Sequence, residues 1–77
     1  MNSIYLGRII RYHRKAAGLT QIELADLAGL GKTVIYDIEK GKETVQWRSV
    51  KSLLNALNIK IKLESPLMEK FIKHEKS

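Results

Sequence analysis

Residues 20–41 read TQIELADLAGLGKTVIYDIEKG, and the fold turns on them. Thr20 and Glu23 form a capping box, in which each side chain satisfies a backbone N–H of the other's residue. Leu19 and Leu24 stand where a hydrophobic staple would close over that cap. Leu24, Ala25 and Ala28 then recur on one helical face until Gly29 interrupts it. Leu30 and Ile35 form a second staple around Gly31, a tolerated N-cap. Ile35 and Ile38 give the second helix its apolar anchors, and Gly41 ends it. Val34, Ile35 and Tyr36 favour a strand by propensity alone, but the caps and the spacing outweigh them. The segment predicts two short helices crossed through a tight turn, with Ala25 small enough to sit at the crossing.

Crossed helices of this kind make a helix-turn-helix. Thr33, Tyr36, Asp37 and Lys40 follow one another at i, i+3, i+4 and i+7, on the face opposite Ile35 and Ile38. That stripe is free to enter a DNA major groove. Upstream, residues 4–17 predict a first helix, with Ser3 as N-cap and Gly18 as its left-handed stop. Leu6, Ile9, Ile10, His13 and Ala17 mark its inner face, and His13 is expected in the core or at its boundary rather than as a ligand. Downstream, residues 46–57 predict a fourth helix with an apolar stripe of Trp47, Val50, Leu53, Leu54 and Leu57. That stripe places Trp47 in the core. Asn58 suits the turn that follows.

The period then changes to two. Ile59-Lys60-Ile61-Lys62-Leu63-Glu64 alternates as a half-buried strand does. No other stretch offers it a partner, and an unpaired strand is a template for another chain. The economical partner is a second copy across a two-fold axis, paired through Ile59, Ile61 and Leu63. After Pro66, residues 67–77 are either one amphipathic helix, with Leu67, Met68, Phe71 and Ile72 on a face, or a frayed end. The expected fold is therefore all-α: a small bundle of four to five helices plus one C-terminal strand pairing between subunits. The expected divisions are a domain at 1–65, with its dimerising strand at 59–64, and a tail at 66–77.

The chain has 77 residues, enough for one small domain. So short a chain buries only roughly 60% of its unfolded surface, and a partner subunit would add stability. Fourteen Lys and Arg against eight Asp and Glu give a net charge of +6, which favours polyanionic partners. With no cysteine and no H-x-x-x-H or C-x-x-C spacing, neither a disulfide nor a metal site is expected. No apolar run approaches membrane-spanning length and no signal-peptide layout opens the chain. Two histidines, no glycine-rich phosphate loop and little room for a pocket argue against an enzyme. No cofactor and no small-molecule substrate are predicted, and the tail is too short and mixed in charge to anchor on a membrane.

The stretch LGRIIRYHRKAAGLTQIELADLAGLGKTVIYDIEKG resembles the Cro/phage-repressor, or XRE, type of helix-turn-helix family, with a likeness extending over residues 6–58. It rests on Arg14, Gly18-Leu19-Thr20-Gln21, Leu24-Ala25, Ala28-Gly29, Ile35, Ile38, Glu39 and Gly41. The added strand is similar to that of HipB-type antitoxins and their regulator relatives. The resemblance implies a lambda-repressor-like bundle and a homodimer that binds double-stranded operator DNA as a repressor in a prokaryotic cytoplasm, on the nucleoid. It implies that Gln21 fixes the protein on the DNA backbone and that Arg14 and Glu39 pair beneath the surface. One departure matters: Gly31 stands where the family usually carries a polar side chain, so one contact is lost.

The candidate DNA-binding residues are Gln21, Lys32, Thr33, Tyr36, Asp37, Lys40, Lys42 and Arg48. Lys32 and Thr33 stand where helix 3 would meet base edges or phosphate, and Tyr36 can cover a thymine methyl. Asp37 either accepts from a cytosine amine or only restrains Lys40 or Lys32. Lys42 and Arg48, with Lys51, suit phosphate contacts, although ordinary solvated charges would look the same. A second class of function, an antitoxin that neutralises a partner toxin, uses the same fold. Its docking surface would be Ile22 and Leu27 on helix 2 or the face from Leu67 to Ile72.

Overall fold

A computed structural model describes residues 2–76; Met1 and Ser77, the outer ends of the expected domain and tail, lie outside the described residues. Five helices follow in order: α1 Ser3–Ala16, α2 Gln21–Ala28, α3 Lys32–Lys40, α4 Trp47–Ala56 and α5 Met68–Glu75. α1 starts one residue earlier than expected. Asn2, not Ser3, is the N-cap, and its Oδ1 accepts from the Tyr5 N–H at 2.8 Å. The capping box of α2 is complete: the Glu23 N–H donates to Thr20 Oγ1 at 3.1 Å, and the Thr20 N–H donates to Glu23 Oε1 at 2.8 Å. α3 begins at Gly31 with no side-chain cap.

Gly41 closes α3 at φ 87°, and a Cβ there would also lie 2.8 Å from the Ile4 side chain. Gly7 answers a different need. A Cβ on it would lie 2.5 Å from the Ile38 carbonyl oxygen and 2.7 Å from that of Glu39. The missing side chain is what lets α1 lie directly on the backbone of α3.

The core is a single cluster of Ile10, Leu24, Ala25, Ile35, Ile38, Val50, Leu53 and Leu54. α1 packs on α3, and α2 packs on both α3 and α4. On the expected inner faces of α2 and α3, Leu24, Ala25, Ile35 and Ile38 are buried and Ala28 is partly so. Three residues differ, and the first, Ala17, is exposed where α1 has already ended. His13 is exposed, its Nδ1–H donating to the Ile9 carbonyl at 2.7 Å and its ring edge-on to Tyr12. Trp47 is 57% exposed. It opens α4 at the edge of a cleft shared with Asn2, Ser3, Leu6 and Val45, which leave more than half of the side chain uncovered. Periodicity names the face of a helix, but an element must lie over that face to bury it.

The expected strand is the main correction. Among the described residues there is no strand, and residues 59–64 carry no ladder hydrogen bonds. The physical reason is simple: a strand exists only with a partner, and one copy of this chain supplies none. Asn58 makes the turn at φ 58°, and the Ile59 N–H caps α4 by donating to the Leu54 carbonyl at 2.8 Å. Ile59 packs partly on the core, whereas Ile61 and Leu63 stand exposed. Beyond Pro66 the tail is helical rather than frayed, but α5 buries none of its residues. The molecule measures 45 × 21 × 21 Å.

Candidate nucleic-acid interface

α3 is fixed from behind. Ile35 and Ile38 are buried, so the opposite side of the helix must face outward. On that side Lys32, Thr33, Tyr36 and Lys40 are exposed. The Lys40 ammonium sits 5.3 Å from the centre of the Tyr36 ring, a cation–π contact one turn long that orders both side chains at the surface. Lys32 and Thr33 occupy the first turn, where α3 presents unpaired N–H groups to any anion.

Asp37 is half-buried and restrained, but by neither Lys40 nor Lys32. The Lys42 Nζ donates to Asp37 Oδ2 at 3.4 Å, across the Gly41 turn. The Lys42 side chain remains 55% exposed, so the pair balances the carboxylate without burying the lysine. Arg48 is exposed on the first turn of α4.

Gln21 is not simply a surface amide. Its Nε2 donates to Glu39 Oε1 at 3.2 Å. Glu39 in turn accepts two bonds from Arg14, Nε to Oε2 at 2.6 Å and Nη2 to Oε1 at 3.0 Å. The third guanidinium group donates to the Leu19 carbonyl at 2.9 Å. The Arg14 and Glu39 side chains are only 10% and 4% exposed. This bidentate pair joins α1 to α3, and through Leu19 and Gln21 it also reaches the start of α2. The hydrogen-bonded Glu39 carboxylate pushes the Arg14 pKa up, against the opposing effect of burial. At the other end of the cap, donation first from the Thr20 backbone N–H and then from its hydroxyl holds the Glu23 carboxyl below the usual glutamate range.

The structure thus brings Lys32, Thr33, Tyr36, Asp37, Lys40 and Lys42 onto one continuous edge, with Gln21 tied beneath it through Glu39. Ile59, Ile61 and Leu63 belong to a separate part of the chain. Three features escaped the sequence reading: the Gln21–Glu39 bond, the Asp37–Lys42 pair and the close approach at Gly7. Only the last left a signal, a glycine in the middle of an otherwise strong helix. No group of His, Cys, Asp and Glu among the described residues could hold a metal ion. No helix there is long and apolar enough to cross a membrane.

Comparison with known proteins agrees with this geometry. The model of a helix-turn-helix family matches residues 10–63. An uncharacterized HTH-type transcriptional regulator, y4mF, of Sinorhizobium fredii (strain NBRC 101917 / NGR234) is 39% identical over 61 residues, 79% of this chain and 80% of that protein. Among solved structures, the restriction-modification controller protein C.AhdI from Aeromonas hydrophila superposes with a TM-score of 0.68 at 33% identity, over 75% of this chain and 88% of that one. A chain from the structure of a HipA–HipB–O2–O3 complex superposes with a TM-score of 0.78 over 86% of this chain and 93% of that one; at 21% identity it attests the fold alone.

Proposed function

This chain belongs to the helix-turn-helix family of DNA-binding, XRE-type transcription regulators, which is not an enzyme family, and from that premise we propose that it represses transcription as a homodimer on an inverted-repeat operator. Each copy lays the outer edge of α3 in a major groove. Lys32, Thr33 and Tyr36 meet base edges and phosphate, while Lys40, Lys42 and Arg48 contact the backbone on either side. Gln21 holds a phosphate at the start of α2. Residues 59–64 of the two copies pair as an antiparallel ribbon that sets the distance between the two α3 helices. Successive major grooves on one side of B-DNA lie about 34 Å apart, and that is the spacing the dimer must match. Occupying a promoter in this way excludes polymerase, and the place of action is the cytoplasm of a prokaryotic cell, on its nucleoid.

The observation that carries this reading is the polar edge of α3, exposed along its length and held rigid by buried Ile35, Ile38 and Glu39. Its test is the salt dependence of binding to an operator fragment. A dimer that neutralises 6–10 phosphates loses on the order of 10³–10⁵ in affinity between 50 and 200 mM salt. A complex indifferent to salt would contradict it.

A second reading, an antitoxin that also binds a partner toxin, draws on Ile22 and Leu27, which are 53% and 64% exposed on α2. Copurification of the chain from its native host tests it. Recovery of a stoichiometric second protein that is released by Leu27→Asp supports the reading, and recovery of the chain alone overturns it.

A further inference from the structure

α5 has an apolar face that nothing among the described residues covers. Leu67 is 66% exposed, Phe71 57% and Ile72 46%, and the helix buries no residue. Eight residues make about two turns, well below the roughly 12–15 that an isolated helix needs in water, so packing must sustain it. The occupant of that face follows from the segment before it.

In an antiparallel two-fold ribbon, the end of each strand lies beside the start of the other, one strand spacing of about 4.8 Å away. The chain leaving residue 64 therefore arrives where the other copy turns from α4 through Asn58 into Ile59. At that place the structure has an open cleft of about 440 Å³ beside α4, in which Leu54, Ile59 and Ile61 supply the apolar lining and Lys51, Asn55 and Lys60 the polar one. No acidic residue lines it. α5, about 12 Å long, matches the span from Lys51 to Asn55 and the turn beyond it.

The ribbon also needs help. A standard interface covers about 800 Å² on each partner. Three inward-facing side chains per copy, Ile59, Ile61 and Leu63, fall short of that, and an isolated two-stranded pairing is marginal in water. Adding Leu67, Met68, Phe71 and Ile72 more than doubles the number of apolar side chains each copy contributes.

We propose that α5 is an exchanged arm: the face formed by Leu67, Met68, Phe71 and Ile72 of each copy seats in the α4 cleft of the other. This rests on the dimeric reading above, and the following experiment separates the two. Sedimentation equilibrium is run on the full chain, on Phe71→Asp and on Ile61→Pro, with circular dichroism melts confirming that the helical core of each is intact. Phe71 touches no core residue, so Phe71→Asp leaves the fold standing. The expected result is a dimer whose dissociation constant rises at least about tenfold in Phe71→Asp, and further in Ile61→Pro. A dimer lost in Ile61→Pro but unchanged in Phe71→Asp overturns the arm and leaves the ribbon. A full chain that stays monomeric throughout overturns both.

Because the chain has no cysteine, single introduced thiols report the pairing directly. Asn55→Cys and Met68→Cys chains, mixed and oxidised, should form the mixed disulfide. Cross-linking confined to Met68→Cys with itself would mean that α5 pairs with α5, and the arm assignment would fail.

Discussion

Glu39 accepts from three donors on two residues while almost fully buried. Replacing it by Gln keeps the shape and removes the charge, which leaves the Arg14 guanidinium buried without its counter-ion. Breaking a buried pair costs about 3–5 kcal/mol, and a domain of this size loses roughly 4–8 °C per kcal/mol. Glu39→Gln should therefore lower the thermal midpoint by roughly 12–40 °C, read by circular dichroism. The ranking of DNA sequences bound by the folded protein should not change, since Glu39 faces away from the α3 edge. Glu23 behaves differently because it is exposed. Its carboxyl titrates below the usual range in the fold, so its stabilising effect is present above that range and is lost as the pH falls through the folded value. The margin in midpoint between the native chain and Glu23→Gln should thus narrow between pH 6 and pH 3; a constant margin would mean that the cap gains nothing from the charge.

At the scale of the helix pair, Gly7 decides how closely α1 can lie on α3. Alanine is the better helix former by roughly 0.5–1 kcal/mol, but the atoms its Cβ would strike are backbone carbonyls at 2.5 and 2.7 Å, which cannot swing aside. Overpacking of that kind costs about 1–3 kcal/mol, so the steric effect wins and Gly7→Ala should destabilise the fold in a urea titration. A gain in stability would show that α1 can slide. The helices themselves were legible because their signals are local. A capping box, a staple and a glycine stop each lie within five residues of the end they define. What the sequence could not show depends on what lies across space. The bond between Gln21 and Glu39 spans 18 positions, and the exposure of Trp47 depends on which residues of other segments lie beside it. The alternation at residues 59–64 signals a readiness to pair, but the pairing itself needs a second chain.

For the whole molecule, the proposed function asks two surfaces to act together: the α3 edge toward DNA and the C-terminal segment toward another copy. The net charge of +6 favours a polyanionic partner and sets two copies of the chain against each other, so the proposed dimer would be held by apolar contact rather than by charge. Thr33→Ala and Tyr36→Ala should each relax the choice of base at one position per half-site, by about 1–3 kcal/mol, without altering dimerisation. Lys42→Ala should weaken all sequences about equally and flatten the salt slope by roughly one. The central proposal behind these effects is a pair of α3 helices related by a two-fold axis, and its most direct measurement is selection of bound sites from random duplex DNA by the purified full chain. An inverted repeat whose half-site centres lie about one helical turn apart, with base preferences that shift in Tyr36→Ala, is the predicted result. A single unpaired site, or a symmetric one whose sequence is indifferent to Thr33 and Tyr36, would contradict it.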